Sequence, residues 1–191
     1  MTTTHAEHAQ PTAAQPADQR DEPVQWLTDA QQRAWRAYLL GSARLTEALT
    51  RQLEYDSGVS LSEYEILVRL SETPGRTLRM SELAASLVHS RSRLTHTVSR
   101  LEARGLVERQ TCAADGRGVN CFMTDAGFAL LESAAPGHVR AVRANLVDLL
   151  TDEQLQVVGD AMAVVAAAGT DGPPETVPGM LVPERAAGAS A

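Results

Sequence analysis

The chain contains no lysine, so all 17 of its cationic side chains are arginines. GC-rich coding accounts for that as well as function does, and it excludes nothing. Other shortages exclude more. Two cysteines among 191 residues do not make a disulfide scaffold. Aromatic residues make up only 4% of the chain, so a core must be built from Leu, Val and Ala, which suits a mainly helical fold. No stretch approaches the roughly 20 apolar residues that span a bilayer. Nothing between Met1 and Gln25 resembles a signal peptide: there is no apolar run, and Glu7, Asp18, Asp21 and Glu22 stand where basic residues would. The expectation is a cytoplasmic protein with no membrane partner. Also missing are a Gly-rich phosphate loop, a Gly-x-Ser-x-Gly elbow and a paired-His metal motif. No segment is left over for a cofactor-binding α/β domain. The chain therefore reads as no enzyme, with no cofactor and no metal.

The net charge of −7 looks wrong for a partner of nucleic acid, but its distribution matters more than its sum. Between Arg76 and Arg117 stand eight arginines and only four acids, Glu82, Glu102, Glu108 and Asp115. One basic segment lies inside an acidic protein.

Residues 1–24 are rich in Ala, Gln, Pro, Thr and acid, and 169–191 in Gly, Pro and Ala; both read as disordered tails. Between them one domain is expected over 25–168. A long helix spans about 28–55, with Trp35, Tyr38, Leu39, Leu45, Leu49 and Leu53 at helical spacing and Gly58 as its stop. Ser60 and Glu63 form a capping box for a second helix that turns Tyr64, Leu67 and Leu70 inward. Pro74-Gly75 is a turn, and Thr77 to Arg79 can form only a very short strand. Ser81 begins a short helix, and Ser90 caps another that runs to Arg104 and stops at Gly105. Leu106–Thr111 and Val119–Met123 read as strands joined by Asp115-Gly116-Arg117-Gly118, a tight hairpin signal. Thr124 caps a long helix interrupted near Pro136-Gly137, beyond which Val139, Val142, Leu146 and Leu149 make a helix-packing seam. Thr151 and Gln154 cap a last helix with Leu155, Val158, Met162 and Val165. The fold class is mainly α with a small β-hairpin wing.

Short helix, tight turn, second helix and hairpin, about 60–127 with the helix before them, make a winged helix-turn-helix, a unit that docks on DNA. The second helix enters the major groove, and the hairpin reaches a neighbouring minor groove or phosphates. At about 100° per residue, Leu94, Val98 and Leu101 form its buried stripe. Opposite lie Ser92, His96, Ser99 and Ala103, flanked by Arg93, Thr95 and Arg100, with Arg91 projecting from the first turn. That face is small, hydroxylic and basic, with no carboxylate of its own before Glu102. Small residues permit close approach, and arginine can pair with guanine or phosphate.

The run SELAASLVHSRSRLTHTVSRLEARGLVERQTCAADGRGVNCFMTDAG resembles the winged-helix core of the MarR (multiple antibiotic resistance regulator) family. The matching pieces are Leu83-Ala84, Arg-Leu-Glu-x-Arg-Gly-Leu-Val-Glu-Arg at 100–109, Asp-Gly-Arg-Gly at 115–118 and Thr-x-x-Gly at 124–127. Leu-Ser-Glu-Tyr-Glu-Ile-Leu at 61–67 resembles that family's second helix. The likeness covers about 28–168. It implies a homodimeric regulator, ligand- or stress-responsive and a repressor, on a pseudo-palindromic operator in double-stranded DNA. Its dimer would be made by the helices at about 28–55 and 125–168. Ser90, Arg91, Ser92, Arg93, Thr95 and His96 then occupy recognition-helix positions. Arg117 matches a wing-tip arginine that enters the minor groove, and Asp115 the acid that holds it. Trp26, Trp35 and Tyr38 would line a pocket for a small aromatic or anionic effector, unless they are dimer-interface core.

Cys112 stands where the family often carries an acid. Cys112 and Cys121 are equally far from the centre of the hairpin connection, so a symmetric register would place them opposite each other, within reach of a cross-strand disulfide. Arg109 and Arg117 nearby could then lower a thiol pKa. A redox-sensing regulator is one alternative; two reduced structural thiols are the plainer reading. His89 and His96 lack ligand spacing; His96 reads as a groove-facing donor and His138 as a surface residue after a helix break. A winged helix used as a protein-interaction module without DNA is the other alternative.

Overall fold

The computed structural model describes residues 24–87, 90–111 and 118–168. Both expected tails lie outside the described residues, save Val24 at the edge of the first, as do His89, Cys112, Asp115 and Arg117. The chain forms two compact units, Met1–Leu39 and Leu40–Ala191. In the first, Thr28 and Gln31 cap each other: the Thr28 N–H donates to Gln31 Oε1 at 2.9 Å, and the Gln31 N–H to Thr28 Oγ1 at 3.3 Å. They open helix α1, Asp29–Ser57.

In the second unit, local chemistry sets most boundaries. Gly58 ends α1 with φ +63°, a conformation that favours glycine. Helix α2, Leu61–Ser71, opens with the capping box: Ser60 accepts from the Glu63 N–H while the Glu63 carboxylate accepts from Ser60. Strand β1 is Thr77–Arg79, and helix α3 runs Met80–Ser86, one residue earlier than Ser81 marks it. Helix α4, Arg91–Ala103, is capped by Ser90, whose Oγ accepts from the Arg93 N–H at 3.3 Å. Gly105, at φ +70°, turns the chain into strand β2, Val107–Thr111. Strand β3 is Val119–Met123, and helix α5, Asp125–Asn145, starts where Thr124 Oγ1 accepts from the Gly127 N–H at 3.0 Å. Helix α6, Asp152–Ala168, follows the reciprocal Thr151–Gln154 cap.

The sheet is antiparallel, in the order β1-β3-β2. The short first strand thus joins the wing, and β3 becomes its middle strand. The core gathers Leu53 and Val59, then Tyr64, Ile66, Leu67 and Leu70 of α2, Leu83 of α3, Leu94, Val98 and Leu101 of α4, Val107 and Met123 of the sheet and Leu131 of α5. The buried stripe expected on α4 is the one observed.

Three expectations need correction. The long helix is not interrupted at Pro136-Gly137; α5 continues through Pro136 to Asn145, and the break is a 3-10 turn at Val147–Leu149. Proline forfeits one helical hydrogen bond, but Ala134, Ala135 and Val142 are buried on either side of it, and their packing holds the helix together. Leu149 consequently leaves the expected seam and is exposed. His138 is not a surface residue: it is buried, its ring 4.5 Å from that of Tyr64.

The third concerns the hairpin register. Cys121 faces Arg109, and Thr111 faces Val119, so Cys112 is not the cross-strand partner of Cys121. Burial of Val107, Cys121 and Met123 on one face sets the register, and the turn need not be centred on the Gly-rich run.

Candidate nucleic-acid interface

Helix α4 is anchored by Leu94, Val98 and Leu101 and turns a polar face outward. Ser90, Arg91, Ser92, Arg93, Thr95, His96 and Arg100 are all exposed. Thr97, by contrast, is buried, with its hydroxyl donating to the Arg93 carbonyl at 3.0 Å. Such threonine back-bonding satisfies a buried hydroxyl without leaving the helix.

The neighbouring helix modifies this face in ways that spacing along α4 does not reveal. Arg100 pairs at 2.9 Å with Glu63, whose side chain is only 2% exposed. The same carboxylate accepts from the Ser60 N–H at 2.8 Å and the Ser60 hydroxyl at 3.0 Å. Glu63 thereby couples the start of α2 to the last turn of α4, and Arg100 positions the helix. Arg93 reaches Ser62 Oγ at 3.4 Å. It also acts on Glu65: burial pushes that carboxyl above the usual range, and the Arg93 charge pulls it back. The run of α4 without an acid, Arg91 to Leu101, is therefore tempered by Glu65 of α2. Arg104 donates to the Gly58 carbonyl at 3.0 Å. The signal for these contacts was Glu63 itself, a capping acid facing inward.

The wing is fixed to the same helix. Arg109 of β2 donates from Nε to the Glu102 carboxylate at 2.9 Å, and its backbone N–H donates to Glu102 at 3.1 Å. The Arg109 hydrogen bond holds the Glu102 carboxyl below its ordinary range. At the other end of the sheet Arg76 pairs with Asp125 at 3.0 Å and lies 3.7 Å over the Phe128 ring.

Cys121 lies on the middle strand between Leu78 and Arg109 and is fully buried. Burial pushes its thiol up to about 12, Glu102 adds to the rise, and Arg109 opposes it without prevailing. The arginine effect expected from sequence exists but is the weaker one, and such a thiol is inert.

In the first unit Trp35 and Tyr38 stack with centroids 5.8 Å apart, both exposed. Among the described residues no group of three His, Cys, Asp or Glu side chains is placed to hold a metal ion, and no helix is long and apolar enough to cross a membrane.

A short helix, a turn, a core-anchored helix with a basic outer face and a three-stranded wing define a winged helix-turn-helix protein. A model described as MarR family matches residues 57–118. The solved structure of Sco3205, a MarR family transcriptional regulator from Streptomyces coelicolor in complex with DNA, is 45% identical with a TM-score of 0.75, covering 78% of this chain and 92% of that one. AbsC, a MarR family transcriptional regulator from the same organism, is 39% identical with a TM-score of 0.72, covering 76% of this chain and 97% of that one. The HTH-type transcriptional regulator PecS of Dickeya dadantii (strain 3937) is 33% identical over 86 residues, 44% of this chain and 52% of PecS, so the match spans about half of that curated relative. The chain belongs to the MarR family of transcriptional regulators.

Proposed function

We propose that this protein is a sequence-specific regulator that binds double-stranded DNA as a homodimer and acts as a ligand- or stress-responsive repressor. The observation that carries the DNA reading is the outer face of α4: Arg91, Ser92, Arg93, Thr95 and His96, all exposed on a helix whose other side is fully buried. Sco3205, the relative solved with DNA, supports it. In this reading α4 lies in the major groove, with Arg93 and His96 against base edges and Arg91 against the backbone. Arg117 enters the minor groove, steadied by Asp115.

Dimerisation is supported by α6, none of whose residues is fully buried and which exposes Val157, Val158, Met162, Val164 and Val165. So much apolar surface on one helix marks an association face. The stacked Trp35–Tyr38 pair is the surface proposed for an aromatic or anionic effector.

Titration of the full chain with duplex DNA at increasing salt tests the reading. Affinity should fall steeply with salt, and Arg93→Ala and His96→Ala should each cost about 1–3 kcal/mol on a preferred sequence. Equal losses on preferred and random duplexes would confine these residues to phosphate. Absence of duplex binding at low salt would favour a protein-interaction module instead.

A further inference from the structure

We infer that Ser62 and Glu65 of α2 are positioning residues that aim Arg93 at a base edge, so that part of the sequence preference of α4 is set from outside the recognition helix. This rests on the DNA-binding reading, in which Arg93 meets the base edges of the major groove.

At about 100° per residue, Ser62, Glu65 and Arg69 fall on one face of α2, and all three are half-buried. The two ends of this polar stripe hold the two helices of the DNA-docking unit. Arg69 donates to the Ser86 carbonyl at the end of α3 at 3.5 Å, and Ser62 Oγ accepts from Arg93 Nη2 of α4 at 3.4 Å. Glu65 stands between them along α2. Burial raises its carboxyl above the usual range and the Arg93 charge opposes the rise, so carboxylate and guanidinium act on each other across the boundary between the helices.

Arg93 is fixed at its backbone as well as at its tip. Its N–H donates to Ser90 Oγ at 3.3 Å, and its carbonyl accepts from the Thr97 hydroxyl at 3.0 Å. A guanidinium carries several N–H donors in a rigid fork. The bond to Ser62 uses one of them and leaves others for a paired contact with a guanine edge. An untethered arginine loses rotamer freedom when it binds, and a tethered one loses less.

Glu65 acts on the choice of target. Phosphates and base edges compete for an exposed arginine. A carboxylate behind the guanidinium repels a charged phosphate more strongly than it repels a neutral base edge. It therefore weakens binding to every duplex while favouring the base contact over the phosphate contact. Discrimination rises as overall affinity falls.

The test uses the full chain, a duplex enriched from randomised DNA by the wild-type protein, and a random duplex; discrimination is the ratio of the two affinities. Glu65→Gln should bind the random duplex about twofold tighter at low salt. It should also lose discrimination on the order of fivefold. Ser62→Ala should lose discrimination by a smaller factor with random-duplex affinity unchanged, and Ser62→Thr, which keeps the hydroxyl, should restore it. Both losses should vanish in an Arg93→Ala background, where no guanidinium is left to aim. If Arg93→Ala lowers discrimination while Glu65→Gln and Ser62→Ala keep it, α2 does not aim Arg93 and the DNA reading stands. Equal losses with and without Arg93 would place the effect in the fold of α2 and overturn the inference. Unchanged discrimination in Arg93→Ala, or failure of wild type to bind any duplex, would remove the base-reading role of Arg93 and the inference together.

Discussion

Replacing Gly127 with alanine should destabilise the protein, although alanine is the better helix former. Gly127 sits in the first turn of α5, and its N–H donates to Thr124 Oγ1 at 3.0 Å. A Cβ there would fall inside the van der Waals shell of the Leu106 carbonyl oxygen, 3.0 Å from Met123 Cγ and 3.1 Å from the Leu106 carbonyl carbon. That oxygen cannot swing away freely. It accepts from the Thr124 N–H at 3.1 Å, with the Thr124 hydroxyl at 3.1 Å beside it. Overpacking a tight contact costs about 1–3 kcal/mol, and loosening the Leu106–Thr124 hydrogen bond adds about 1 kcal/mol. Removing a helical glycine returns about 0.5–1 kcal/mol. The net is a loss of about 2 kcal/mol. Gly159, helical in α6 with nothing within 4 Å of its Cβ position, is the matched control: its change to alanine should gain about 0.5–1 kcal/mol. Urea unfolding of the full chain, followed by circular dichroism at one fixed protein concentration, measures both. A Gly127→Ala protein stabilised as much as Gly159→Ala would refute the packing argument.

Glu63→Ala removes the α2 cap and the partner of Arg100. Because the Arg100 side chain is 52% exposed, the cost should be about 2 kcal/mol, below that of a fully buried pair; a change under about 0.5 kcal/mol in urea would contradict the coupling of α2 to α4. Burial holds His138 below its ordinary value, so below about pH 6.5 the unfolded chain takes up a proton that the native one refuses. Stability should therefore fall as pH drops through that range, and His138→Phe should flatten the fall; identical pH slopes for the two proteins would exclude His138 as its source. Cys121, with its thiol near 12, should resist alkylation at neutral pH in a Cys112→Ser background until denaturant is added, and rapid native labelling would show that the middle strand opens.

How much of this was legible in the sequence depended on range. Ser60 with Glu63, Ser90, Thr124, and the turns at Gly58 and Gly105 could be read because a cap or a positive φ is decided within a few residues. Leu94, Val98 and Leu101 were legible because helical period alone assigns them a face. The hairpin register was not, since pairing is set by which residues of both strands are buried, and Cys121 opposite Arg109 follows from the burial of Val107 and Met123. Nor was α5 through Pro136, where tertiary packing overrides local propensity. The make-up of the outer face of α4 was half legible. Residue types on α4 marked the face, but the commitment of Arg100 to Glu63 and the approach of Arg93 to Glu65 join helices far apart in the chain.

The central claim is that α4 reads duplex DNA within a two-fold dimer, and selection of bound sequences from randomised duplexes by the full chain tests it most directly. The account predicts an enriched inverted repeat with half-site centres about 10 bp apart, whose inner positions lose preference in Arg93→Ala while the flanks survive. Enrichment of no sequence, or of a motif without two-fold symmetry that Arg93→Ala leaves unchanged, would contradict it.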